Sequence, residues 1–458
     1  MEIKVEDIIN VTKGRLITGN KNMECINFSK DTRTIEQGDI YIGIKGENFD
    51  GSKFWKKAIE NGASGVIVQN IEITEEEKKQ YKEKVIIVVE DSLKALYEIA
   101  KFKRNMYDIP VIAITGSVGK TSTKDIVASV VSNKYKTLKT EGNNNNNIGL
   151  PLTILKLRDH EAMVIEMGMN HFREIALLTE IAKPTLAVIT NIGTSHIGIL
   201  GSRENILKAK LEILEGMKKP KIIINNDNDL LHKWYEENKE KIEIHTYGIE
   251  KQSDINAKDI EMDENSSKFT VGINNKKVEI EVPVGGEHFI YNALCATEVG
   301  KVLGLTEEQI KKGIKEFKLT KKRMDIRTLQ NGAILINDSY NASYESMSAS
   351  INYLANHNGT RKIAVLGDMF ELGEYSKELH EKVGETVAQK NIDILICSGD
   401  ESQNIIKKVK EKNPKIKTIL LNNNEEILKK LQKILREGDV VLVKASNGMK
   451  FYEICQKL

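Results

Sequence analysis

The sequence predicts an α/β protein of three domains: a small α/β unit at 1–107, a central domain on a parallel sheet at 108–318, and a Rossmann-like domain at 319–458. Three observations predict this. The chain has 458 residues, enough for about three domains at roughly 150 residues each. Nearly all-apolar strands alternate with helix-length segments through the last two thirds, the pattern of a parallel sheet covered on both faces. A glycine-rich turn at 116–119 joins one of those strands directly to a helix.

The elements follow in order. In the first domain, 39–44 (DIYIGI) and 64–70 (SGVIVQN) read as strands, with a helix at 54–63 between them ending near Gly62. A strand at 84–89 and a helix at 93–105 follow, and Ile109-Pro110 breaks the chain. The central strands are VIAITGS from 111, then 163–168, 185–193 and 221–227; residues 240–284 turn polar and alternating, which predicts an antiparallel appendage. The third domain has strands at 333–338, 362–368, 393–399, 417–422 and 439–446. The asparagine run 143–147 is the one low-complexity patch, and no fixed-period repeat occurs.

Composition excludes several classes. Hydrophobic residues are 40% and charged residues 29%, ordinary for a soluble protein. Lys plus Arg number 68 against 66 Asp plus Glu, a net charge of +2, which argues against nucleic-acid partners or an anionic membrane surface. Aromatics at 5% argue against a stacking platform for single strands. No stretch reaches the roughly 20 apolar residues of a membrane span, so no membrane insertion is expected. Cys25, Cys295, Cys397 and Cys455 lack metal-ligand spacing and form no disulfide framework, which predicts a cytoplasmic setting.

Residues 111–125, VIAITGSVGKTSTKD, carry the first chemistry. A buried strand runs into Gly116, Ser117, Val118, Gly119, Lys120, Thr121 and Ser122, then into a helix with Ile126, Val127, Val130 and Val131 on one stripe. The glycines let backbone N–H groups turn toward phosphates, and the helix N-terminus adds partial positive charge. Lys120 can reach the β- and γ-phosphates of ATP, and Thr121 can ligate Mg²⁺. The plain alternative is a glycine turn with a surface lysine, but the strand and helix flanks favour a P-loop. A P-loop names no reaction by itself.

A second cluster lies on the same sheet rim. Glu166 ends its strand where open α/β sheets bind ligands, and a carboxylate there suits Mg²⁺; the alternative is a solvated strand end. His196 falls just past the next strand end; alone, such a histidine is more often structural. In 202–216, with Ser202 as N-cap, residues Ile206, Leu207, Leu211, Ile213 and Leu214 form one apolar arc. Lys210 falls inside that arc while Lys208 points the opposite way. A buried amine must be paired, modified or led past its neighbours to water.

These residues resemble those of the Mur ligase family of ATP-dependent amide-bond-forming enzymes. TGSVGKTSTKD is similar to the family P-loop, and TEGNNNNNIGLP (140–151) to its T-x-G-N-x-N-N-x-x-G-x-P stretch, with Gly142, Asn143, Asn145, Asn146, Gly149 and Pro151 in place. The resemblance implies that Glu166, His196 and Lys210 are the glutamate, histidine and carbamylated lysine of a magnesium site. GEHFIYNALCA (286–296) implies His288 and Asn292 beside the adenine. KKRMDIR and INDSYNAS imply Arg323 and Asp338 at phosphate and ribose. Within the family, 28–51 resembles the UDP-binding domain of the member that adds D-alanyl-D-alanine to UDP-N-acetylmuramoyl-tripeptide, with Ser29, Thr32 and Arg33 as candidates for the uridine nucleotide and Asn143 and Asn146 for substrate. VLGDMFELGEYSKELHEKVGE (365–385) and INDSYNASYESM (336–347) resemble the same member. One departure is Lys444-Ala445-Ser446-Asn447, where the family usually reads K-G-S-R.

The resemblance implies an acyl phosphate formed by attack of the tripeptide carboxylate on the γ-phosphate of ATP, then attack by the dipeptide amine, in a monomer. Thr121 and Glu166 would hold one Mg²⁺, and His196 and carbamylated Lys210 the other. Rival readings are another Mur-type ligase with a different amine acceptor, a regulatory P-loop NTPase, and a non-catalytic UDP-sugar binder. The last should lack the Lys120–Glu166 pair.

Overall fold

The structure, a computed structural model, describes residues 2–274, 276–320 and 323–458. The first sheet has five strands in the order Arg15–Thr18, Val85–Val89, Gly65–Gln69, Ile40–Ile42, Phe28–Ser29. All neighbours run parallel except Arg15–Thr18, which is antiparallel to Val85–Val89. The helix Ser92–Asn105 starts where Asp91 accepts from the N–H groups of Leu93 and Lys94. Its Arg104 guanidinium donates to the carbonyls of Ala182 and Tyr107, at 2.7 and 2.6 Å, and so ties this unit to the next.

Seven parallel strands form the second sheet, in the order Ile255–Asn256, Glu243–Gly248, Lys221–Asn225, Leu186–Ile189, Val111–Thr115, Ala162–Glu166, Thr137–Lys139. Val111–Thr115 sits between Leu186–Ile189 and Ala162–Glu166, so the chain winds outward to both sides of it. That is the switch point at which such sheets open a crevice beyond their carboxyl ends. Its five residues are all buried, as the continuous apolar run required. The helix Lys120–Val131 is buried well beyond its predicted stripe, Thr121 to Ala128 included, because the helices Glu287–Val302 and Glu307–Glu316 pack on its outer side.

The predicted antiparallel appendage is smaller than 240–284. Only Lys258–Met262, Ser267–Ile273 and Lys276–Val282 pair antiparallel. Glu243–Gly248 and Ile255–Asn256 instead extend the parallel sheet. Glu243–Gly248 is exposed at its start and buried at its end. Its polar alternation therefore reflects a half-covered position near the sheet edge.

The third sheet has six strands in the order Asp325–Thr328, Ile334–Asn337, Asp439–Lys444, Arg361–Gly367, Ile394–Ser398, Lys417–Leu421, parallel apart from the first. One apolar core runs from Ile3 through the central sheet to Leu442, and a second fills the other face of the third sheet around Val365, Ile396 and Val443. All four cysteines are free thiols and buried. Among the described residues no helix is long and apolar enough to cross a membrane.

Candidate active site

The loop after Val111–Thr115 ends in Gly119, whose φ of 81° lies in the left-handed region and lets the next helix begin at Lys120. The loop is stapled to the end of the neighbouring strand. Val118 N–H donates to Asn191 Oδ1 at 3.0 Å, its carbonyl accepts from Thr190 Oγ1 at 2.7 Å, and Ser117 Oγ accepts from Gly193 N–H at 2.9 Å. Lys120 folds back over the loop, its Nζ donating to the Gly116 and Ser117 carbonyls at 2.7 and 3.2 Å. Burial pulls its pKa down, with Glu166 opposing the shift and Arg323 adding to it.

Glu166 is buried at the end of Ala162–Glu166 with both oxygens engaged. Thr121 Oγ1 donates to Oε2 at 2.8 Å and Asn145 Nδ2 donates to Oε1 at 2.7 Å. Lys210 is only 2% exposed, on the helix Arg203–Leu211 that Ser202 caps as expected, while Lys208 faces solvent. The helix ends sooner than 216 and tightens into a 3₁₀ turn at Glu212–Leu214, where the Glu212 carboxylate accepts from Arg173 and Ala176 N–H groups. Among the described residues Lys210 Nζ has no hydrogen-bond acceptor or counter-ion. Desolvation, then the charge of Lys120, pushes its pKa well below the usual lysine value, so the neutral amine is favoured.

The opposite wall comes from the third domain. The Arg323 guanidinium stacks on the Tyr340 ring at 4.1 Å, and its Nε is buried with no hydrogen-bond partner among the described residues. Asp338 Oδ2 accepts from Lys444 Nζ at 2.5 Å and from Ser350 Oγ at 2.7 Å. His288 lies near Asp338 and Lys444; burial lowers its pKa to about 4, with Asp338 opposing and Lys444 adding to the shift, so the ring is neutral at pH 7. Asn292 Oδ1 accepts from Thr123 Oγ1 at 2.9 Å, linking the two packed helices. His196 sits at φ 64°, its Nδ1 2.5 Å from Glu371 Oε2 of the third domain, a close contact off the hydrogen-bond line.

These walls enclose a cavity of about 780 Å³, within the usual range for sites that hold a nucleotide-sized molecule. Of the predicted residues, Ser117, Val118, Gly119, Lys120, Ser122, Asn146, Glu166, His196, His288, Asn292, Arg323 and Asp338 line it. Gly116, Thr121 and Lys210 are not on that surface; Gly116 and Thr121 are bonded to Lys120 and Glu166 behind it. Asn146 spends its amide oxygen capping the helix Gly149–Ile154 through Ile148 and Gly149 N–H groups. Asn143 is exposed and off the cavity wall. Ser29, Thr32 and Arg33 belong to the first domain, outside the cavity, with Arg33 paired to Asp31 at the surface. Sequence reasoning gave no role to Asn145, Thr190, Asn191, Tyr340, Glu345, Glu371 or Lys444. Asn145, Tyr340, Glu345, Glu371 and Lys444 stood inside quoted motifs, but their partners are fixed only by the fold.

Three stretches match Mur ligase families: the catalytic domain at residues 28–104, the middle domain at 114–300 and the glutamate ligase domain at 322–447. The chain belongs to the Mur ligase family. It is 36% identical to the UDP-N-acetylmuramoyl-tripeptide–D-alanyl-D-alanine ligase of Bacillus subtilis (strain 168), over 99% of this chain and 98% of that one. Among solved structures, MurF from Acinetobacter baumannii superposes with a TM-score of 0.89 at 29% identity, covering 100% of this chain and 99% of that one. MurF ligase from Thermotoga maritima in complex with ADP superposes with a TM-score of 0.80 at 29% identity, covering 94% and 96%.

Proposed function

We propose that this chain joins D-alanyl-D-alanine to UDP-N-acetylmuramoyl-tripeptide with cleavage of ATP to ADP and phosphate. The observation that carries this reading is the likeness to a ligase of that activity over 99% of the chain, the first domain included. Both substrates are small molecules. The four unpaired thiols fit a cytoplasmic setting, and we take the chain to act as a monomer.

The donor set of Thr121 and Glu166, one hydroxyl and one carboxylate, suits Mg²⁺, which takes its remaining oxygens from phosphate and water. Lys210 reads as a carbamate precursor. Its neutral amine would attack carbon dioxide, form the N–C bond and release a proton, becoming an anionic oxygen donor that could hold a second Mg²⁺ with His196. When bound, the cations would offset the charge repulsion between a triphosphate and an approaching carboxylate.

The chain's own groups do the rest. N–H groups from Gly119 to Ser122, at the start of the helix, and the Lys120 ammonium hold the phosphates, while those of Ser117 and Val118 brace the loop against Asn191. His288 and Asn292 flank the adenine. Arg323 and Asp338 reach phosphate and ribose from the third domain. The tripeptide carboxylate attacks the γ-phosphorus, the bond to ADP breaks, and the acyl phosphate forms. The dipeptide amine then attacks the acyl carbon, loses a proton and expels phosphate. Walls from two domains exclude the water that would hydrolyse the acyl phosphate. Ser29, Thr32 and Arg33 would hold the uridine nucleotide in the first domain, whose bounds we take as 1–107, followed by domains at 108–318 and 319–458.

Phosphate release from ATP with UDP-muramoyl-tripeptide should rise on adding D-alanyl-D-alanine. Release indifferent to the dipeptide would leave another amine acceptor, or a regulatory NTPase if the tripeptide also has no effect. The Lys210→Ala variant should be inactive and regain activity with added short-chain carboxylates; full activity without them removes the carbamate.

A further inference from the structure

The segment of the second domain from Gly193 to Gly201 is gripped by the third domain at several points. Glu345 accepts from Thr194 N–H at 2.7 Å and from its hydroxyl at 3.1 Å. Gly198 N–H donates to the Glu371 carbonyl at 3.0 Å, and Tyr375 Oη donates to the Gly201 carbonyl at 2.7 Å. The backbones meet so closely that a Cβ on Gly198 would lie 2.3 Å from Gly373 N. At the centre of this contact two non-glycine residues face each other in left-handed backbone, His196 at φ 64° and Glu371 at φ 63°. Such conformations cost of order 1 kcal/mol and persist where surrounding contacts over-determine them. The contact here is a carboxylate laid against one ring nitrogen: His196 Nδ1 is buried beside Glu371 Oε2. Nε2 is the ring nitrogen left for the cavity that His196 lines.

We propose that Glu371 is a positioning residue that acts across the domain boundary, fixing the tautomer and ring direction of His196 so that Nε2 faces the cavity only while the two domains are docked. A carboxylate on the far nitrogen of a ligating histidine holds the proton there and raises the basicity of the near nitrogen. The inference rests on the reading of His196 as a cation ligand. It adds that the ligand is completed by a residue of another domain. Cation binding and domain docking are then linked, because each favours the arrangement in which His196 and Glu371 meet.

The test uses the full chain with a non-hydrolysable ATP analogue and titrates Mn²⁺, following the free ion by EPR. Wild type should bind one cation and then a second. Glu371→Gln, which keeps the shape and removes the charge, should weaken the second by about tenfold or more. Glu371→Asp should recover part of that loss. Tyr375→Phe removes a docking hydrogen bond without touching His196 and, acting through docking alone, should weaken the second cation far less than Glu371→Gln does. If Glu371→Gln binds both cations as wild type does, or if Tyr375→Phe weakens the second by the same factor, the positioning role is overturned. If wild type itself binds no second cation, the reading of His196 as a ligand fails, and the inference with it.

Discussion

Asn145 shows how much one side chain can decide at this site. Its amide holds one oxygen of Glu166 while Thr121 holds the other, so the carboxylate has a single orientation. Asn145→Ala should lower kcat by about tenfold, roughly 1.4 kcal/mol, with little change in the KM for ATP, since the nucleotide contacts lie elsewhere; steady-state phosphate release checks both. Lys120→Ala should cost at least about a hundredfold, the scale of removing one preorganised charge donor, with the thermal midpoint kept near wild type. His288 carries a pH consequence. Its folded pKa is depressed to about 4 by burial, so below the unfolded value of about 6.5 the unfolded chain binds more protons. Stability contributed by this ring is present above about pH 6.5 and lost as the pH falls toward 4. A His288→Gln variant should lack about 1–2 kcal/mol of that acid sensitivity in denaturant titrations at successive pH values. At this scale the sequence was most legible where a residue contradicted its surroundings. Lys210 stood out because its charge fell in an apolar arc, and it is buried. Glu371 and Glu345 lay in segments that carried the resemblance but gave no such signal of their own, because an acid in a loop or first helical turn looks solvated until its partner from another domain is known.

Secondary elements were legible to the extent that their burial was uniform. The strand Val111–Thr115 and its neighbours are buried along their length and read as continuous apolar runs. Glu243–Gly248 is buried only at one end, and its alternation pointed to the wrong pairing. The short helix Ile197–Leu200 could not be read at all, since its four residues are shaped by the loop pressing on them from Glu371 to Gly373. Gly198→Val tests that contact. A branched side chain would collide with backbone, which cannot yield as a flexible side chain could. The variant should fold but lose activity by at least about tenfold, with scattering that reports a more extended molecule in the presence of an ATP analogue.

Across the whole molecule, the cavity joins groups that lie far apart in the chain, from Ser117 to Lys444. An ATP analogue that bridges those walls stabilises only the docked form. At about a hundred times its dissociation constant it should add about 2.7 kcal/mol to stability. Differential scanning should show the gain in one transition spanning the second and third domains, and Lys120→Ala should abolish it. The three-part architecture was legible from strand rhythm and length. The relative placement of the parts was not, because it depends on surfaces such as Gly198 against Gly373, whose sequences carry no periodic signal.

The four sequestered cysteines give the molecule a chemically silent background. Burial raises the thiol pKa of Cys25 and Cys455 to about 12 and pushes those of Cys295 and Cys397 higher still, so maleimide or nitroxide reagents meet almost no thiolate in the native state. A pair of cysteines engineered on the outer faces of the second and third domains could therefore be labelled selectively in an otherwise natural chain. The separation of such labels would report, in solution and turnover by turnover, how far the lobes travel.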